Sequence, residues 1–108
     1  MGFPTINMEV PPDFTLASGV YAVWVTISET KIRGAMHWGP IPTFDETQKS
    51  LEVFLLGVGD HELSHADLSH ISVDVKERIR DIVKFPTVDD LTQQLEKDSS
   101  DVRRLLPE

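Results

Sequence analysis

Cysteine is absent from this 108-residue chain, which excludes disulfide bonds and thiolate metal sites and suits a reducing compartment. Basic residues are also scarce, with 10 Lys and Arg against 18 Asp and Glu, for a formal charge of −8. That balance opposes the phosphate contacts that dominate nucleic-acid affinity, and it opposes an anionic membrane surface equally. Long apolar runs are missing too. None approaches the roughly 20 residues that span a bilayer, and Met1-Gly2-Phe3-Pro4 has neither the basic opening nor the apolar middle of a signal peptide. The expectation is an acidic, cytoplasmic, monomeric domain over residues 1–108, without nucleic-acid or membrane partners, in which a polyanionic ligand depends on a metal ion or a few placed cations. A chain of this length buries roughly two-thirds of its unfolded surface and folds without staples.

The first informative stretch is Gly2-Phe3-Pro4-Thr5-Ile6-Asn7. Pro4 fixes its own φ and pushes Phe3 out of the helical region, so the backbone is extended. Thr5 and Asn7 then share one face, where a hydroxyl and a carboxamide present oxygens to a hard cation or to phosphate, or else make local turns and caps. Paired prolines at 11 and 12 end this segment in a loop. A strand follows at 19–27, with Tyr21, Val23, Val25 and Ile27 on one face and Val20, Ala22, Trp24 and Thr26 on the other. Both faces are largely apolar, as in a strand of a closed barrel flanked by other elements. A polar turn at 28–31 leads to a partner strand at 32–38, within which Gly34 marks a bulge or a close approach by another backbone.

The strand pattern breaks at 39–44 and resumes in Leu51-Glu52-Val53-Phe54-Leu55-Leu56 after a polar loop. Glu52 shares a face with Phe54 and Leu56, so its carboxylate is either paired, hydrogen-bonded or shifted there, or stands at the strand end facing water. Residues 57–69 form a hydrophilic connection that contains His61-Glu62-Leu63-Ser64-His65. This matches H-E-x-x-H, but no long amphipathic helix carries it, and His70 follows too soon to complete the longer zinc-protease pattern. A polar loop with a small acid-Leu-Ser-His duplication is the simpler reading. Ile71, Val73 and Val75 alternate with polar residues as a last strand with one wet face, and residues 76–84 are ambiguous between strand and helical turn. Thr87 is an N-cap with Asp90 at N3, and Val88, Leu91, Leu95, Val102 and Leu105 or Leu106 recur at helical spacing up to Pro107. An amphipathic helix over 88–106 is expected, packed on the sheet.

Taken in order, Gly2-Phe3-Pro4-Thr5-Ile6-Asn7, Gly19-Val20-Tyr21-Ala22-Val23, Pro42-Thr43-Phe44, Leu51-Glu52-Val53, Arg78-Ile79-Arg80 and Lys84-Phe85-Pro86 running into the final helix resemble the riboflavin kinase family, found in bacteria usually as the C-terminal half of a bifunctional FAD synthetase. The resemblance implies a small Greek-key β-barrel of about six strands with a C-terminal helix. The family's first strand and its Gly- and Arg-rich segment have no counterpart before Gly2 in this sequence. It further implies transfer of the ATP γ-phosphoryl group to the 5′-hydroxyl of riboflavin, giving FMN and ADP, with Mg²⁺. On the residues that match, Thr5 and Asn7 fall at the metal, Gly2, Phe3, Pro4 and Thr5 at the nucleotide, Glu52 at the general base and Arg80 near the flavin. The Ser- and His-rich stretch at 63–70, Ile82 after Arg80-Asp81, and His37-Trp38-Gly39 in place of the family's Asn-Ile-Gly depart from the pattern. The alternative is a catalytically impaired flavin- or nucleotide-binding module that keeps the barrel.

Overall fold

The computed structural model describes residues 3–11, 13–40, 49–58 and 70–107. Among these residues five strands are present, β1 (Thr5–Met8), β2 (Gly19–Ile27), β3 (Thr30–Pro40), β4 (Lys49–Leu55) and β5 (Ile71–Arg80), followed by one helix, α1 (Val88–Leu105). All ladders are antiparallel, in the order β1-β4-β3-β2-β5. The mostly-β architecture with a C-terminal helix is the one expected, and the five strands among the described residues fit a plan of about six whose first is missing. One correction is needed: the sheet is open, since no ladder among the described residues joins β1 to β5. The ambiguous charged run is strand as far as Arg80. Packing against β2 decides it, because two register shifts let β5 stay paired along the whole of that neighbour.

Both faces of β2 are buried. Tyr21, Val23, Val25 and Ile27 join Met36, Trp38, Leu51, Val53 and Leu55 in one cluster. Ile6 and Met8 from one edge of the sheet and Ile71, Val73 and Val75 from the other pack against that same cluster. Among the described residues no helix covers this side; the two edges of the sheet turn onto the cluster, and the loop before β2 closes one end. There the Phe14 ring packs tilted against Trp38 with centroids 4.7 Å apart, and Trp38 Nε1 donates to the Leu16 carbonyl at 2.9 Å. The second cluster, on the opposite face, joins Val20, Ala22, Ala35, Phe54 and Leu56 to Leu95, Val102 and Leu106 of α1.

Gly34 does mark a close approach, but by side chains rather than by the other backbone expected. A Cβ there would stand 3.0 Å from Val53 Cγ1, 3.1 Å from Val23 Cγ2 and 3.2 Å from Val25 Cγ2. These β-branched side chains are stiff at χ1, and the curl of the sheet brings all three onto one point. Gly34→Ala is therefore expected to destabilise the fold by about 1–3 kcal/mol through overpacking. A lower urea midpoint at unchanged slope is the readout, and an unchanged midpoint would mean the curl relaxes freely.

α1 begins where the capping signal sits. Thr87 is extended, and its Oγ1 accepts from the Asp90 amide at 3.1 Å. Of the expected stripe, Leu95, Val102 and Leu106 are buried, and Leu91 and Leu105 pack against them. Val88 departs from the expectation and is 66% exposed, because the helix starts beyond the sheet's cover.

Candidate functional site

The ladder registers align one transverse row across all five strands. Asn7 pairs with Glu52, Glu52 with His37, His37 with Val20, and Val20 with Arg80. Directly opposed residues project on the same side of a sheet. The adjacent row is Thr5, Phe54, Ala35 and Ala22. Phe54, Ala35, Ala22 and Val20 lie in the cluster under α1, so the row residues occupy the helix-covered face. Thr5, Asn7 and Glu52, distant in sequence, are thereby brought side by side.

Among the described residues β1 is an edge strand paired with β4 alone, with the Pro4 carbonyl accepting from the Leu55 amide at 2.8 Å to extend the pairing. Pro4 is buried, and Phe3 packs against the helix-side cluster, so the stiff opening seen in the sequence anchors the strand. The Thr5 hydroxyl donates to the Phe3 carbonyl at 3.2 Å, which leaves its oxygen as an acceptor. Asn7 is exposed and Glu52 half-buried. Gly2 lies outside the described residues, as do Pro42-Thr43-Phe44 and the whole His61–His65 pattern. His70 is exposed, and among the described residues no three His, Asp or Glu side chains gather as a metal cluster.

Glu52 also borders a cavity of about 360 Å³ between the β3–β4 ends and the segment leading into α1. One wall is polar, with Glu52, Ser50 and His37; the other is apolar, with Ile82, Phe85 and Leu91 among its residues. The volume and the mixed polar and apolar lining fall in the range of small-molecule sites. Val83 and Val88, 52% and 66% exposed, stand at its mouth.

Arg80 is placed differently from a free flavin contact. Its Nε and Nη2 hold both oxygens of Asp98 at 2.9 and 2.7 Å, Nη1 donates to the Asp81 carbonyl at 2.9 Å, and Gln94 Nε2 donates to Asp98 at 3.0 Å. Asp98 is fully buried, and the pair ties β5 to α1. Arg80 reaches the cavity only through Phe85, whose ring centroid lies 5.9 Å from the guanidinium carbon.

Two residues of this region escape the sequence reading. Asp98 sits three residues after Leu95 and four before Val102, so it occupies the helix's apolar stripe, which is the signal that marks it. His37 alternates with Met36 and Trp38 and so faces α1, but its place beside Glu52 depends on a register that the sequence leaves open. Its ring meets Phe54 edge-on at 4.8 Å, and its Nε2 is buried without a partner among the described residues. Burial, and after it the Arg80 charge, lowers the His37 pKa to about 4, against a smaller opposing pull from Asp98.

That depression has a stability consequence. At pH 7 the imidazole is neutral folded or unfolded and contributes nothing. Below its ordinary value of 6.5 the unfolded chain takes the proton first, so stability is lost progressively until about pH 4, where the folded protein is protonated too. The full loss is about 3 kcal/mol. Comparing wild type with His37→Leu by urea unfolding isolates this share from that of the carboxylates. The wild-type advantage is expected to shrink by that amount between pH 7 and pH 4, and a constant difference would contradict a neutral buried imidazole.

An open antiparallel sheet with a helix on one face, and a carboxylate lining a cavity beside that helix, defines a small mostly-β domain. A family model of riboflavin kinase, the flavokinase domain, matches residues 1–106, and the chain belongs to that family. It is 33% identical over 99 residues to the bifunctional riboflavin kinase/FMN adenylyltransferase of Haemophilus influenzae, and 33% identical over 106 residues to that of Escherichia coli K12. These alignments cover 91% and 95% of this chain but 31% and 32% of the relatives, so the chain spans about a third of their length. The RNA-binding riboflavin kinase RibR of Bacillus subtilis is 32% identical over 107 residues, 96% of this chain and 44% of that protein. Among solved structures, one described as a macrolide-efflux protein from Streptococcus pneumoniae superposes with a TM-score of 0.70 at 34% identity, over 93% of this chain and 32% of that one.

Proposed function

We propose that this domain phosphorylates riboflavin at its terminal ribityl hydroxyl with ATP, giving FMN and ADP. The observation that carries the reading is the position of Glu52, which lines the cavity and is also the register partner of Asn7 on the edge strand. Glu52 therefore stands between the place for a hydroxylated ligand and the place for phosphates. The flat isoalloxazine ring packs against Phe85, Ile82 and Leu91, and its hydroxylated tail points to the polar wall. Carboxylate Glu52 accepts the proton of the attacking hydroxyl as the new O–P bond forms and the bond from Pγ to the ADP oxygen breaks.

The donors on β1 fit a divalent cation, specifically Mg²⁺. This ion takes one or two protein oxygens and completes its shell with water and phosphate. Thr5, whose hydroxyl proton is committed to Phe3, and exposed Asn7 supply such oxygens on one face. When bound, the metal neutralises phosphate charge that this acidic chain has few cations to meet. Gly2, Phe3, Pro4 and Thr5 form the nucleotide side of the site, with Thr5 shared between the two roles. We place the reaction in a monomeric, cytoplasmic unit, and the −8 charge supports the absence of a nucleic-acid partner. Incubating purified protein with riboflavin, ATP and Mg²⁺ and resolving FMN by chromatography tests the reading. Binding of riboflavin without FMN formation would favour the impaired binding module instead.

A further inference from the structure

We propose that His37 is a specificity-determining residue that reads a secondary hydroxyl of the ligand's polyol chain, next to the hydroxyl addressed by Glu52. The inference rests on the proposed riboflavin site and deepens it. His37 lines the same cavity as Glu52 and is its register partner on the neighbouring strand. Opposed side chains on adjacent strands begin about 5 Å apart, a separation that matches two nearby hydroxyls on one carbon chain. Nε2 of His37 has no hydrogen-bond partner among the described residues, an arrangement native proteins rarely leave uncompensated. The ring rests edge-on against Phe54, and the broad χ2 preference of imidazole lets it turn and bring a nitrogen to the cavity surface.

The charged groups around it do not supply that partner. On the β5 and α1 side, Arg80 and Asp98 are engaged with each other; on the β4 side stands Glu52, the residue proposed to take the ligand's proton. Burial and Arg80 keep the imidazole uncharged near neutral pH. A neutral imidazole nitrogen is a donor or an acceptor according to its tautomer, and a hydroxyl satisfies either. An anionic or cationic ligand group gains no such match, so the group read here is an uncharged hydroxyl of a polyol.

Flavin fluorescence titration of the full chain tests this with riboflavin, with analogues each lacking one secondary ribityl hydroxyl, and with lumiflavin, which has no polyol. Wild type is expected to bind one of the deoxy analogues about tenfold more weakly than riboflavin, the worth of one hydrogen bond at a buried group. His37→Leu is expected to lose about the same factor for riboflavin, to cease distinguishing that analogue, and to bind lumiflavin as wild type does, while His37→Asn recovers part of the discrimination. Equal binding of every deoxy analogue by wild type overturns the inference, as does a His37→Leu protein that still discriminates. Should His37→Leu fail to fold by circular dichroism, the wild-type series decides alone. Absence of any riboflavin or lumiflavin binding would overturn the proposed function and this inference with it. Riboflavin binding and turnover without discrimination would overturn only the role of His37.

Discussion

Glu52→Gln is expected to lower kcat for FMN formation by about 10²–10⁴-fold while riboflavin still binds. The substitution keeps the size and hydrogen-bonding capacity of the side chain and removes only its basicity. Because Glu52 is half-buried at the border of the cavity and outside both apolar clusters, the fold should lose little stability. The decisive comparison is of kcat and KM for riboflavin at saturating ATP and Mg²⁺, with thermal unfolding as a control. An amide variant that retains more than about a tenth of the wild-type kcat would remove Glu52 from the role of general base. A variant with unchanged kcat and raised KM would instead make Glu52 a residue that only holds the ligand.

Asp98→Ala should unfold the domain far more readily than its position on a surface helix suggests. The carboxylate is fully buried, bridged by two bonds to Arg80 and a third from Gln94, and its removal strands a guanidinium whose side chain is only 16% exposed. Breaking one partner of such a pair costs about 3–5 kcal/mol. For a chain of this length, that corresponds to a fall in Tm of roughly 15–30 °C. The double variant Arg80→Met/Asp98→Leu should recover most of the loss, since it removes both charges together and fills the space with apolar atoms. Calorimetry on the three proteins checks the pair, and a single variant melting within about 4 °C of wild type would show that water reaches Arg80 readily. If the Arg80 guanidinium contributes to flavin binding, the double variant should regain stability without regaining affinity.

Much of the architecture was legible along the chain because its signals are local. The boundaries of β2 follow from alternation between Gly19 and Ile27, and α1 starts at the Thr87 cap, as the capping pattern requires. Thr5 and Asn7 were readable as one face of an extended segment, and Glu52 as a carboxylate on an apolar strand face, for the same reason: period two is written in the residues themselves. β5 was only half readable. Its charged second half carries no alternation, and it is strand because β2 offers it a ladder. Val88 fits the helical stripe by spacing yet stands in solvent, since a periodic pattern does not say where the sheet beneath it ends.

By itself, then, the sequence determined the elements, their apolar faces, the helix cap and the set of residues that resembles the riboflavin kinase family. Only the tertiary structure decided which of those faces meet. The row Asn7–Glu52–His37–Val20–Arg80 exists because four ladder registers coincide, and a slip of one residue in any of them would turn part of the row to the opposite side. Register is set by cross-strand packing over long sequence separations, as is the meeting of Arg80 with Asp98. That is the physical reason the place of His37 beside Glu52, and of Asp98 against Arg80, could be read only from the fold.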